Sequence, residues 1–186
     1  MPEMDAFCPL SPMAPPIRTP AAATGDPLPQ WDLWMARLLR LAERVGAAGE
    51  VPVAAVLLDG QGRCLGWGSN CRHRRADPLG HAELLALRQA ALARGDWRFN
   101  DCTLLVTLEP CPMCAGALIQ ARVGTVVFGA VDPKRGGLGG SLDLASHASA
   151  HHHLRVVGGL RQQQASQQLE RWFRERRAAL RRANRP

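Results

Sequence analysis

Two cysteines three residues apart, Cys111 and Cys114, are the residues of this sequence with the clearest chemical character. They follow an apolar run that ends at Pro110, and Pro112 suits the first turn of a helix because its missing N–H costs nothing there. Cysteines at this spacing on a helix start point their sulfurs toward one place, and the helix dipole favours both thiolates. The pair predicts a metal site, although a lone Cys-x-x-Cys is also typical of a redox pair or of half a structural zinc site.

An upstream segment, His81-Ala82-Glu83, supplies what a catalytic metal site would still need. Zinc in such a site keeps three protein ligands and one position for water, and His81 is the expected third ligand. A carboxylate is an unfavourable ligand beside two thiolates on one metal ion, so we expect Glu83 to have another role. That role is to move protons from the water to the substrate and its leaving amine. The alternative for Glu83 is an ordinary acidic residue in the first turn of a helix.

The hydrophobic pattern predicts the elements that must position these residues. Two apolar runs on either side of Asp59-Gly60 indicate a β-hairpin, and a polar loop then leads to His81. In order, the prediction is a helix from residue 31, strands over 51–58 and 63–68, a helix over 80–95, a strand over 103–108, a helix from 111, strands over 125–128 and 154–157, and a helix over 162–182. This alternation predicts an α/β protein whose sheet is covered by helices on both faces.

Composition divides the chain into one domain and a preceding segment. Eight of the fourteen prolines lie in the first thirty residues, so we expect a disordered extension over 1–30, a folded domain over 31–182 and a short tail over 183–186. No apolar run approaches the roughly 20 residues that a membrane span needs, and prolines interrupt the N-terminus where a signal peptide would be apolar. We therefore expect a soluble cytoplasmic protein.

Positive charge is concentrated at the C-terminus. The net charge is +7, and from Arg161 onward there are eight arginines against two glutamates. A basic terminal helix favours a polyanionic partner such as nucleic acid, although arginines can also serve only to solvate a helix. We expect Leu169, Trp172, Phe173 and Leu180 to anchor that helix to the core. The adjacent histidines at 151–153, with His147, predict a solvated loop, because neighbouring histidines converge poorly on one ion.

The spacing of His-Ala-Glu and Pro-Cys-x-x-Cys, about thirty residues apart, resembles the zinc-dependent nucleobase deaminases. Within that superfamily the chain is most similar to the bacterial tRNA-specific adenosine deaminases, and the resemblance extends over residues 31–182. The further segments that carry it are Glu50-Val51-Pro52-Val53, Thr107-Leu108-Glu109 before the cysteines, Ala115-Gly116-Ala117 after them, and Val127-Phe128-Gly129-Ala130.

This resemblance implies a three-layer α/β/α cytidine-deaminase-like fold with a central mixed sheet, a homodimer with one zinc ion per subunit, and a tRNA anticodon stem-loop as partner. It implies hydrolysis of adenosine to inosine at the wobble position, usually of an arginine tRNA. The family's functional positions fall on zinc ligands His81, Cys111 and Cys114, proton shuttle Glu83, base-binding Asn70, and the RNA contacts Asp132, Trp172, Phe173, Arg176 and Arg177.

The residues alone leave two alternatives to a tRNA adenosine deaminase open. The same metal site would serve a deaminase of a free base or nucleoside, such as guanine or cytosine, although a small neutral substrate gives no reason for a basic helix. A zinc-stabilised RNA-binding module would instead use the metal structurally, and it would need a fourth ligand from another cysteine or from the histidine-rich loop.

Overall fold

The structure of the protein is a computed structural model that describes residues 27–183. Most of the predicted disordered extension and the last three residues lie outside this range. The elements are α1 (Pro27–Ala47), β1 (Ala54–Leu58), β2 (Cys64–Ser69), α2 (Arg72–Arg75), α3 (Ala82–Arg94), β3 (Thr103–Leu108), α4 (Pro112–Gln120), β4 (Thr125–Ala130), β5 (Arg155–Val157) and α5 (Gln162–Ala183). No helix in the described ranges combines the length and apolar character that crossing a bilayer requires.

The five strands form one mixed sheet in the order β2-β1-β3-β4-β5. β1 runs antiparallel to both β2 and β3, whereas β3, β4 and β5 run parallel. Ala55 pairs with Gly68 on one side and Val106 on the other, and Leu108 pairs with Ala130. The carboxyl ends of β2, β3 and β4 therefore lie at one edge of the sheet, and the segments that follow these strands meet there.

Helices cover both faces, which confirms the predicted three-layer α/β/α architecture. Leu57, Leu104 and Val106 pack with α3 and α4 on one face. The alternate strand residues Val56 and Leu105 pack with α1 on the other face, where α5 also lies against α1 through its buried Leu169. Side chains alternate along a strand, so strands that are buried on both faces carry the nearly continuous apolar runs seen in the sequence.

Glycines in β2 let α3 approach the sheet closely. A Cβ atom added at Gly66 would lie 2.5 Å from the carbonyl oxygen of Ala86, and one added at Gly68 would lie 2.3 Å from that of Ala82. These separations are too short for any side chain, so β2 accepts α3 only where it carries glycine. The helix begins at its N-cap His81 and ends at Gly95, whose φ of 69° is left-handed. The close packing thereby places His81 and Glu83 against the sheet edge.

The structure differs from the predicted elements in four places. α1 begins at Pro27, four residues before the first periodic apolar residue, and the short helix α2 lies within the predicted polar loop. Within the predicted helix over 80–95, Leu92 is exposed because the last turn of α3 extends past the core. The expected anchoring by Phe173 and Leu180 is also wrong, since they are 40% and 52% exposed. Burial in α5 is confined to its first half, and periodicity alone does not show where a helix leaves the core.

Candidate metal centre and substrate surface

The predicted metal ligands come together at the starts of two helices. His81 is the N-cap of α3 and Cys111 is the N-cap of α4, with Cys114 buried one turn further on. The Nδ1 atom of His81 lies 3.8 Å from Cys111 Sγ and 3.5 Å from Cys114 Sγ. Tetrahedral zinc with ordinary Zn–S and Zn–N bonds separates its ligand atoms by about 3.6 Å. The three donors therefore fit a tetrahedral ion of this size, and they leave its fourth position to a non-protein ligand.

The electrostatics of the three donors also favour a cation. The pKa of Cys111 falls to about 4, chiefly because its sulfur accepts hydrogen bonds from Cys114 and then from His81. The pKa of Cys114 rises well above its usual value, because its thiol donates to Cys111 and is buried. The hydrogen bond to Cys111 also raises the pKa of His81. Cys111 is therefore a thiolate at neutral pH, which is the form in which cysteine binds a metal ion.

Glu83 lies in the first turn of α3, two residues after His81, and is 4% exposed. Burial raises the pKa of its carboxyl from 4.5 to about 7, despite the nearby positive imidazole. A carboxyl that titrates near neutral pH can both accept and return a proton under ordinary conditions. This environment distinguishes Glu83 from a solvated acidic residue that only favours the helix dipole.

Asn70 follows the end of β2 and is 7% exposed. Its side-chain oxygen Oδ1 accepts the backbone N–H of Ala82 at 3.0 Å, and this bond joins the β2 end to the first residue of α3. Among the described residues the amide nitrogen Nδ2 makes no hydrogen bond, yet it is not sealed from solvent. The amide is thus oriented by the protein and keeps its donor for a ligand beside the metal site.

Glu109, two residues before Cys111, holds the glycine-rich loop that follows β4. Its buried carboxylate accepts the backbone N–H groups of Asp132 at 2.9 Å, Leu138 at 3.0 Å and Gly140 at 2.8 Å. A Cβ atom at Gly140 would lie 2.4 Å from that carboxylate. The sequence alone did not identify Glu109 as the anchor of this loop. The signal was an acidic residue inside an apolar run together with closely spaced glycines.

The predicted RNA contacts on α5 separate into different environments. Phe173 lines a notch with Asp132, together with Leu108, Ala130, Val131, Ser166, Leu169 and Glu170. Trp172 turns instead toward α1, where its indole N–H donates to the carbonyl oxygen of Gly46 at 3.0 Å. Arg176 and Arg177 are exposed further along the helix. The fold therefore brings Asp132 and Phe173 together at the metal-site edge, and leaves the arginines beyond it.

The histidine-rich loop does not gather a metal site in the described part of the chain. The Nε2 atom of His152 donates to the carbonyl oxygen of Val123 at 2.9 Å. The Nδ1 atom of His147 forms a hydrogen bond of 2.7 Å with the hydroxyl of the nearby Ser149. Among the residues described, His81, Cys111 and Cys114 form the only group of three or more histidine, cysteine or acidic side chains close enough to hold one ion.

Comparisons with known proteins agree with this geometry. Residues 29–175 match the family model of MafB19-like deaminases. The tRNA-specific adenosine deaminase of Bacillus subtilis is 40% identical over 78% of this chain and 90% of its own length. A solved structure from studies of A-to-I editing by tRNA A34 deaminases is 34% identical, with a TM-score of 0.69 over 73% of this chain and 99% of the other.

A longer relative matches the same region. A tRNA(Ile)-lysidine synthase of Deinococcus deserti is 46% identical over 83% of this chain, but the match covers 29% of that protein. This chain thus spans less than a third of the length of that curated relative.

An α/β/α sheet with a histidine, two cysteines and a buried glutamate beyond the carboxyl ends of its strands is the arrangement typical of the zinc-dependent nucleobase deaminases. The family match and the shared identity are specific enough to go further. The chain belongs to the MafB19-like deaminase family and is a relative of the tRNA-specific adenosine deaminases, which confirms the resemblance predicted from the sequence.

Proposed function

We propose that this protein is a tRNA-specific adenosine deaminase, which hydrolyses adenosine to inosine and ammonia at the wobble position of a tRNA anticodon, with an arginine tRNA as the first substrate to test. The observation that carries the proposal is the convergence of His81, Cys111, Cys114 and Glu83 at one sheet edge. The similarity to the Bacillus subtilis enzyme supports the choice of substrate. In this reaction the exocyclic amine of adenine leaves as ammonia and the oxygen of water takes its place.

The residues present fit zinc, because two sulfurs and one imidazole nitrogen are typical ligands of a tetrahedral zinc site. We propose one ion per subunit, held by His81, Cys111 and Cys114. When bound, zinc lowers the pKa of a water ligand toward neutrality. Glu83 would accept one proton of the attacking water and deliver it to the purine nitrogen. It would then take the second proton from the hydroxyl formed at the reacting carbon and deliver it to the amine, which leaves as ammonia. Its pKa near 7 suits both transfers.

The base and its strand would be bound by groups around this centre. Asn70 donates from Nδ2 to an acceptor on the flipped adenine, because its Oδ1 is already committed to Ala82. Asp132 and Phe173 line the neighbouring notch, where an exposed ring can stack on a base next to the adenosine. Arg176 and Arg177 then contact phosphates further along the RNA, and Trp172 supports the helix that carries them.

The organisation of the protein is part of the same proposal. Residues 31–182 would form the deaminase domain, preceded by the proline-rich segment 1–30 and followed by the tail 183–186. We further propose that two copies associate as a homodimer and that the protein acts in the cytoplasm, where its tRNA substrate is found. Sedimentation of the zinc-loaded protein measures the subunit number directly.

Incubation of the zinc-loaded protein with tRNA, followed by nuclease digestion and nucleoside mass spectrometry, tests the activity. We expect inosine from the arginine tRNA, and its absence from every tRNA offered would overturn the proposal. Glu83→Gln should keep one zinc per subunit and lose at least a hundredfold in rate, because general acid–base catalysis contributes about that much or more. Glu43→Gln, at an exposed glutamate on α1, is the matched control and should retain the rate.

The alternatives give different results in the same preparation. Ammonia release from free guanine or cytosine without RNA would identify a free-base deaminase. If the protein binds one zinc ion per subunit but produces neither inosine nor ammonia, the metal has a structural role. In that case, a histidine or cysteine outside the three proposed ligands would be needed for metal retention.

A further inference from the structure

The loop between β2 and α3 carries positive charge that the site described above does not use. Its tip is the short helix α2, whose four residues are Arg72, His73, Arg74 and Arg75, and all four are exposed. Within the described residues, neither Arg72 nor Arg75 forms a salt bridge. The one acidic residue of the loop, Asp77, accepts the backbone N–H of Leu79 with its side chain. The charges of Arg72 and Arg75 are therefore presented to solvent.

Buried groups hold this loop in a defined shape. The N–H of Cys71 donates to the carbonyl oxygen of Gly80 at 2.9 Å, which closes the base of the loop. The carboxylate of Glu50, which is 1% exposed, accepts the backbone N–H of Arg74 at 2.8 Å. Because the backbone of α2 is already bonded in this way, a ligand would need to order only its side chains.

The sheet topology places α2 beside the metal centre. Its loop starts at the carboxyl end of β2, with Arg72 two residues after the base-binding candidate Asn70, and it leads directly into His81. Cys111 follows β3 at the same edge, and Asp132 follows β4. In the strand order β2-β1-β3-β4, α2 and Asp132 therefore lie on opposite flanks of the metal centre.

We propose that α2 binds phosphates of the RNA strand on the β2 flank of the metal centre, opposite the flank formed by Asp132 and α5. This proposal rests on the proposed function. Arginine guanidinium groups match phosphate oxygens in charge and in bidentate geometry. A nucleotide flipped toward the metal requires its backbone to be held on both sides, and α5 supplies cations on one side only. α2 carries no Trp or Tyr, which are two of the side chains that most often anchor protein interfaces.

The double variant Arg72→Gln/Arg75→Gln tests the surface, with Arg88→Gln/Arg155→Gln as a control that removes the same charge. Arg88 is exposed on α3, and Arg155 is exposed at the amino end of β5, away from the metal-site edge. Fluorescence anisotropy measures binding of an anticodon stem-loop RNA to each zinc-loaded protein over a range of salt concentrations. We expect the α2 variant to bind on the order of tenfold more weakly, with a salt slope smaller by about 2. The control should change the dissociation constant less than about twofold by the same rule.

A third protein, Arg72→Lys/Arg75→Lys, separates charge from folding. It should retain the salt slope, because lysine keeps the charge, and its affinity should lie between those of the wild type and the glutamine variant. Zinc content and melting temperature should match the wild type in all variants. Wild-type affinity and slope in the glutamine variant would overturn the proposal, as would a lysine variant as weak as the glutamine one. Binding of each protein to polyglutamate is measured in the same way. If the glutamine variant loses affinity for polyglutamate but binds RNA as the wild type does, the proposal is overturned in favour of an acidic protein partner.

The test of α2 and the test of the proposed deaminase activity have independent outcomes. Inosine formation by the wild type, with wild-type RNA binding by the glutamine variant, would remove only the role of α2. Absence of inosine would remove the deaminase assignment, and the salt slopes would still decide whether α2 binds RNA.

Discussion

Two buried glutamates near Cys111 have different tasks because their surroundings differ. Glu109 is 2% exposed, and its two oxygens accept three backbone N–H groups. That carboxylate is fully engaged as an acceptor and serves to hold a loop. Glu83 is 4% exposed and burial raises its pKa to about 7, so it can exchange a proton near neutral pH, as the proposed reaction requires. Residue type alone does not separate the two, whereas hydrogen-bond partners do.

The two polar atoms of the Asn70 amide are expected to have different roles, and substitutions at this position can separate them. Asn70→Asp keeps an oxygen that accepts the N–H of Ala82 but replaces the Nδ2 donor by a second acceptor. We expect zinc content and melting temperature close to the wild type, with a rate of inosine formation at least tenfold lower, because an unpaired acceptor then faces the base. Asn70→Ala should lose both the rate and some stability. Equal rates for Asn70→Asp and the wild type would show that Nδ2 does not contact the base.

At the scale of elements, the metal centre depends on how loops are tied to strand ends. The loop after β4 is tied to β3 by Glu109, two residues before a metal ligand. Asp132 in turn caps its own loop, since its Oδ1 accepts the N–H groups of Lys134 and Arg135 at 3.0 and 3.1 Å. Through these bonds the position of the proposed RNA-contacting loop is coupled to the strand that carries Cys111.

Glu109→Ala should lower both stability and RNA binding. It leaves three backbone donors without their acceptor, and each such donor costs about 1–3 kcal/mol when buried. Because water can reach part of the loop, we expect the free energy of unfolding to fall by about 3 kcal/mol in urea denaturation, and KM for RNA to rise more than kcat falls. Glu175→Ala, at an exposed glutamate of α5, is the control. An unchanged KM would show that the loop keeps its position without Glu109.

A second link joins α1 to α5 and predicts a pH dependence. Arg161 binds Asp32 through two hydrogen bonds of 2.7 and 2.6 Å, and the bond to Arg161 lowers the pKa of Asp32 below 3.8. The stabilisation is therefore present above pH 3.8 and is lost as pH falls through the lowered pKa. Since the pair is partly exposed, Asp32→Asn should cost only about 1 kcal/mol at pH 7.

Urea denaturation at pH 7 and near pH 3 checks this prediction by comparing wild type and Asp32→Asn at each pH. The difference between them should shrink at the lower pH, because protonated Asp32 no longer attracts Arg161. Glu43→Gln removes the more exposed bridge to Arg171 and should have a smaller effect at both pH values. A difference that grows on acidification would contradict the assigned sign.

At the scale of the whole molecule, α5 combines a packed half with an exposed half. Its buried residues are Ala165 and Leu169, and from Glu170 onward no described side chain is fully buried. Trp172 lies at the transition, with its ring so close to α1 that a Cβ atom at Gly46 would be 3.1 Å from Cδ1. Beyond it, Phe173 lies at the edge that also holds the candidate metal centre, and Arg176 and Arg177 are exposed further along the helix.

Neighbouring aromatic residues should therefore respond differently to substitution. Trp172→Phe removes the indole N–H that donates to the carbonyl oxygen of Gly46. It should lower the free energy of unfolding by about 1 kcal/mol and change RNA affinity little. Phe173→Ala should leave stability nearly unchanged and weaken RNA binding on the order of tenfold, since stacking on one base is worth about 1–3 kcal/mol. Urea denaturation and anisotropy measure the two effects. The reverse pattern would place Trp172, rather than Phe173, against the RNA.

Local patterns in the sequence predicted most of the fold and the reacting groups. The strand over Thr103–Leu108 and the starts of α3 and α4 agree with the structure, because apolar runs, glycine and proline act within a few residues of themselves. His81, Glu83, Cys111 and Cys114 were identifiable since few tasks require those types at that spacing. The family resemblance added Asn70, Asp132 and the α5 residues as candidates.

Only the tertiary structure decided which of these groups face each other and what holds them. The order β2-β1-β3-β4 brings α2, Cys111 and Asp132 to one edge, although sixty residues separate the first from the last. Glu109 and Glu50 acquired their roles from backbone donors far along the chain, and Trp172 differs from Phe173 only through the position of α1. Such contacts depend on long-range packing, which short-range periodicity does not encode.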